Sequence, residues 1–137
     1  MGYEVLDHTA DLELRAWGES AEEALAEAAR GLFAQLCDPA SVKEQTAFAV
    51  EARGADPAER AVHFLQEALA AWHLHRLLLT RFEVAPIEGD VVRGVGFGET
   101  YDPGRHEIFG ELKAVTYHRA SLTPGEGVWW VNVVVDL

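Results

Sequence analysis

Leu12-Glu13-Leu14-Arg15-Ala16-Trp17-Gly18-Glu19-Ser20-Ala21-Glu22-Glu23 is the stretch that decides how this chain folds. Its first half alternates, with Leu12, Leu14 and Ala16 set against Glu13, Arg15 and Trp17, the period-two pattern of a strand buried on one face. Gly18 breaks the pattern. Ser20 and Glu23 then stand three apart as a capping box, the serine hydroxyl placed to accept the Glu23 amide and the glutamate to reach back. The residues that follow put Leu25, Ala28, Ala29, Leu32, Phe33 and Leu36 on one side of a helix and Glu22, Glu23, Glu27 and Arg30 on the other. This predicts a helix from the Ser20 cap to near Cys37, before Asp38-Pro39. A one-sided strand and a one-sided helix this close together must bury their apolar faces on one another.

Working outward, residues 3 to 6 read as a first strand and Glu44 to Ala52 as a third. Asp56-Pro57-Ala58-Glu59 opens a second helix, with aspartate as cap and proline at the first helical position. Its apolar stripe is Val62, Leu65, Leu69 and Trp72, and it runs to about His75. Four extended stretches follow, at 77 to 85, 91 to 101, 107 to 118 and 128 to 136. Turn residues separate them at Pro86 to Asp90, Asp102-Pro103-Gly104 and Thr123 to Gly127. Two strands, helix, strand, helix and four strands predict one α+β domain over residues 1–137. Its expected form is a two-layer arrangement, two helices packed on a mostly antiparallel or mixed sheet.

The chain has 137 residues and a formal net charge of −12, from 11 Lys and Arg against 23 Asp and Glu. Such a surface repels phosphate backbones, so no direct nucleic-acid binding is expected. Metal ions and basic protein partners suit it better, although charge of this kind also serves solubility alone. One cysteine, Cys37, rules out an internal disulfide. No apolar run approaches the roughly 18 residues that span a bilayer. A cytoplasmic protein with no membrane association is the expectation.

Asp7-His8-Thr9-Ala10-Asp11 crowds two carboxylates and an imidazole just before the second strand. The far end closes with Val133-Val134-Val135-Asp136-Leu137. If these ends meet, Asp7, Asp11, Asp136 and the terminal oxygens form an oxygen-rich pocket suited to a hard divalent cation. The competing reading is an Asx-turn, with the aspartates satisfying backbone amides. His8 is either a ligand or a hydrogen-bonded structural residue. In Glu111 to His118, alternation sets Lys113, Val115 and Tyr117 on one face and Leu112, Ala114, Thr116 and His118 on the other. Lys113 there either binds a phosphate or carboxylate or guards a sheet edge.

Other motifs point away from enzymatic chemistry. Gly94-Val95-Gly96-Phe97-Gly98 has no following helix and no Gly-Lys-Ser/Thr, so it marks a bulge or close backbone approach. Cys37 sits at a helix C-terminus, the wrong end for activating a thiol. No nucleophile elbow and no Cys-x-x-Cys is present. Trp129-Trp130 should place one indole on each face of the last strand.

Five segments together resemble the archease family. They are Asp7 to Asp11, the helix opening Ser20-Ala21-Glu22-Glu23-Ala24, Gly98-Glu99-x-Tyr101-Asp102-x-x-Arg105-His106, Lys113 to His118, and the closing Val-Asp-Leu. The resemblance spans nearly the whole chain, in order. It implies an accessory protein, not an enzyme, for the tRNA-splicing RNA ligase, one that promotes the ligase's guanylylation and multiple turnover. It further implies a divalent-metal site (Ca²⁺, Mg²⁺ or Mn²⁺) at Asp11, Asp136 and Leu137, the last through a main-chain or terminal oxygen. Lys113 is the functional lysine of this reading, with Asp7 and His8 as neighbours in the motif. The other readings are a general chaperone-like protein binder whose metal site is structural, and an autonomous metal-dependent hydrolase.

Overall fold

A computed structural model of the chain describes residues 1–7 and 11–137. The elements run β1 (Gly2–Asp7), β2 (Asp11–Gly18), α1 (Ala21–Ala34), a one-turn 3-10 helix (Pro39–Ser41), β3 (Thr46–Arg53), α2 (Pro57–His75), β4 (Leu77–Val84), β5 (Val91–Thr100), β6 (Ala114–Pro124) and β7 (Trp129–Asp136). The expected α+β class, two helices and antiparallel pairing all hold. The strands divide between two sheets, a four-stranded one ordered β1-β2-β7-β6 and a three-stranded one ordered β3-β5-β4. Every strand pair within them is antiparallel.

The helices hold the two sheets together. α1 packs on β2 and β4, and α2 packs on β6 and β3, so each helix touches both sheets. Ser20 caps α1 by accepting the Glu23 amide at 3.1 Å. Glu23 reaches back to the Glu19 amide at 3.3 Å, one residue further than a standard capping box. Asp56 caps α2 through the Glu59 amide at 2.8 Å. α1 ends at Ala34, short of Cys37. The core joins Leu14 and Ala16 of β2 and Val131, Val133 and Val135 of β7 to Leu25, Leu32, Leu65 and Leu69 of the helices, all at 0% exposure. Among the described residues, no helix is long and apolar enough to cross a membrane.

Two local expectations change. The stretch 107 to 113 is not a strand, and β6 starts at Ala114 and runs on to Pro124. The backbone of that stretch reaches β7 only at its last residue, Lys113; earlier, the Phe109 amide donates to the Leu36 carbonyl at 2.8 Å, just past the end of α1. β6 itself is bulged between Thr116 and Ser121, where Arg119 takes the left-handed conformation, φ 52°. At Gly98, the close approach read from the sequence is real. A Cβ there would collide with the Leu78 carbonyl, opposite a register shift in β4.

Candidate functional site

The register of β2 on β7 places Asp11 directly opposite Asp136. Opposed residues on antiparallel strands share a face, with β-carbons about 5 Å apart, and like charges in that relation repel. The two ends of the chain therefore meet, as the acidic pocket requires. Glu13 falls on the same face two residues on, opposite Val134, and is buried. It accepts from Asn132 Nδ2 at 2.9 Å and lies 3.6 Å from the Arg119 guanidinium. Leu137 follows Asp136 and is 43% exposed.

On the other side of β7, Ala114 pairs with Asp136, and the Lys113 amide donates to the Asp136 carbonyl at 2.8 Å. Lys113 is thus brought to the acidic pair, with an exposed side chain. It does not share a face with Val115 as alternation predicted, because it stands before the strand begins; Val115 is buried, at 6% exposure. Asp7 ends β1 paired with Leu12, not with Asp11 or Asp136. His8 lies outside the described residues.

The donor chemistry fits a hard cation. Two carboxylates and the main-chain oxygens of Leu137 are all oxygen donors, the type that Ca²⁺, Mg²⁺ and Mn²⁺ take. Among the described residues, no three His, Cys, Asp or Glu side chains gather as a metal cluster. Two side chains and a main-chain group fall short of the six to eight oxygens such ions take, so most positions would be left to water or to a partner.

A second polar cluster was not foreseen. Past the Asp102-Pro103-Gly104 turn, Arg105 and His106 close on Glu99, which is 4% exposed. Arg105 forks onto both carboxylate oxygens, at 2.5 and 3.2 Å. The Lys43 amide donates to Glu99 Oε2 at 2.7 Å. The Asp102 amide donates to His106 Nδ1 at 2.8 Å, which leaves Nε2 as the protonated nitrogen facing Glu99 at 3.1 Å. The Arg105 fork, helped by the Lys43 amide and His106, holds the Glu99 carboxyl down at about 2 against the upward push of burial. This cluster anchors the start of the connection that ends at Lys113. Its sequence signal was a carboxylate followed, across a Pro-Gly turn, by two basic residues.

Two α2 side chains were also missed. His73 Nε2 donates to the Leu112 carbonyl at 2.7 Å, and Gln66 Oε1 accepts the Val115 amide at 2.8 Å. Cys37 behaves as expected: burial, then the neighbouring Asp38, pushes its thiol up to about 11. Trp130 meets Trp17 on the outer sheet face, ring centroids 5.6 Å apart, while Trp129 packs against the core.

The model of the archease protein family matches residues 3–137. A protein archease from Methanopyrus kandleri is 39% identical over 140 residues, covering 100% of both chains. The solution structure of Methanobacterium thermoautotrophicum protein 1598 superposes with a TM-score of 0.87 at 30% identity, covering 99% of each chain. The crystal structure of a Thermotoga maritima archease, titled a possible chaperone, shares the fold with a TM-score of 0.65 at 20% identity.

Proposed function

Because this chain belongs to the archease family, we propose that it is a non-catalytic accessory protein that activates a tRNA-splicing RNA ligase through its acidic end. The observation that carries the reading is the placement of Asp11 directly opposite Asp136 with the Lys113 amide on the Asp136 carbonyl. Two carboxylates and a lysine, distant in sequence, are gathered at one sheet end.

In this reading, Asp11, Asp136 and Leu137 would hold a divalent cation, which would supply positive charge able to neutralise phosphate oxygens. The side chains of this protein do the rest. The two carboxylates would hold the ion, and with so few protein donors its other ligands would come from water or a partner. Lys113, exposed and bonded through its amide to Asp136, offers an ammonium suited to a phosphate or a partner carboxylate. The net charge of −12 draws the acidic end toward the basic surface that any RNA-handling enzyme must carry. Asp7 and His8 are assigned a supporting place in the same motif.

The test is ligation turnover by a partner RNA ligase at limiting enzyme, with wild-type protein, Asp11→Ala, Lys113→Ala, or none. Stimulation by the wild type and loss with either variant supports the reading. Failure of the wild type to stimulate a matched ligase overturns it. Stimulation of unrelated client proteins, indifferent to Lys113, would instead favour a general chaperone-like binder.

A further inference from the structure

We propose that Gln66 and His73 of α2 are positioning residues for Lys113, so that the helix sets where this lysine stands beside Asp136. The proposal rests on the role given to Lys113 above.

Lys113 occupies the junction between an irregular connection and β6, where strand pairing to β7 only begins. The main chain is gripped on both sides of the lysine. His73 donates to the Leu112 carbonyl at 2.7 Å, and Gln66 accepts the Val115 amide at 2.8 Å. Between these points the Lys113 amide donates to Asp136 at 2.8 Å. Gln66 and His73 are seven apart, two helical turns, and so lie on one side of α2. That side adjoins the stripe of Leu65, Leu69 and Trp72 that buries the helix, so the grip is tied to the rigid core.

The chemistry of the contacts is specific. A carbonyl can only accept, so His73 must present Nε2–H to Leu112. An amide can only donate, so Gln66 must present its oxygen to Val115. A lysine is a point charge on a long flexible stem, so its reach is set by where its α-carbon is anchored. A site whose support is slack is present but poorly aimed.

The experiment uses Gln66→Met, which keeps length and removes the acceptor, and Gln66→Glu, which restores an acceptor. His73→Leu and His73→Gln form the matching pair, loss and return of a donor. Amide hydrogen exchange is read first and needs no ligase. Gln66→Met and His73→Leu should each speed exchange at Lys113 or Val115 by about tenfold, with Val133 in the core unchanged and the restoring variants near wild type. Ligase stimulation is read second. Each loss variant should fall toward the level of Lys113→Ala, and Gln66→Met combined with Lys113→Ala should be no worse than Lys113→Ala alone. Unchanged exchange at both amides overturns the proposal. So do additive losses of stimulation, or a Lys113→Ala protein that stimulates fully. A wild-type protein that fails to stimulate the ligase overturns the function proposed above, while the exchange result judges the grip separately. If Gln66→Met does not fold, the His73 pair carries both readings.

Discussion

Replacing Glu99 with glutamine should cost this protein a large share of its stability, and the cost should vanish in acid. The side chain keeps its shape in Glu99→Gln. Its carboxylate, however, accepts from two Arg105 nitrogens, the Lys43 amide and His106 Nε2. An amide in its place turns one end into a donor, which must then face other donors. Removing one member of a buried ion pair costs about 3–5 kcal/mol. Arg105 is 40% exposed and can recover hydration, which favours the lower end, about 3 kcal/mol. For a domain of this length, total stability is roughly 7–20 kcal/mol, and the melting temperature should fall by about 10 °C. The pH dependence gives the sharper check. Glu99 is held at about 2, against an ordinary 4.5. The unfolded chain therefore takes up the proton first as pH falls. The stabilisation is complete above about pH 5, declines as pH falls from 4.5 toward 2, and is gone below that. Urea denaturation of both proteins at about pH 7, 5, 3.5 and 2.5 measures it. A gap as wide at the lowest pH as at neutrality, or one under about 1 kcal/mol throughout, would refute the reasoning.

Asp11→Asn and Asp136→Asn should each abolish the rise in melting temperature that Ca²⁺ or Mn²⁺ produces over EDTA; for the wild type a cation at about 100 times its Kd gives about 2.7 kcal/mol. A cation shift that survives both substitutions removes these residues from the site. Leu14→Ala empties a fully buried position where β2 meets α1 and should cost about 2–5 kcal/mol in urea denaturation; a cost under about 1 kcal/mol would mean the core is not packed as described. Cys37, with its thiol pushed up to about 11 and 1% exposed, should resist a disulfide reagent at about pH 8 and react only on unfolding. Rapid labelling of the native protein would contradict its burial.

Most of the architecture was legible because it is written in periodicity. β2 and α1 declared themselves through alternation and a capping box, and Asp56-Pro57 announced α2. The division into two sheets was not legible, since no local pattern says which strands pair across the chain. The stretch 107 to 113 misled because its residues alternate passably, yet its backbone partners are a helix end and β7. The acidic pair was readable only on the condition that the ends meet, which is a matter of register. The Glu99 cluster left a local trace, a carboxylate followed across a turn by Arg105 and His106, but the two α2 side chains that hold the main chain around Lys113 were invisible. Their partners are backbone groups far along the chain, and a residue's letter does not name its partner.

The two sheets also differ in how the chain reaches them. The three-stranded sheet and α2 come from one continuous stretch, residues 46 to 100. The four-stranded sheet joins the first two strands to the last two, and Asp11 waits for Asp136. The contacts within the middle segment are more local in sequence, whereas those that bring Asp11 to Asp136 span nearly the whole chain. The pairing of Asp11 with Asp136 is thus among the most sequence-distant contacts of the fold, and the last to be available as the chain is made.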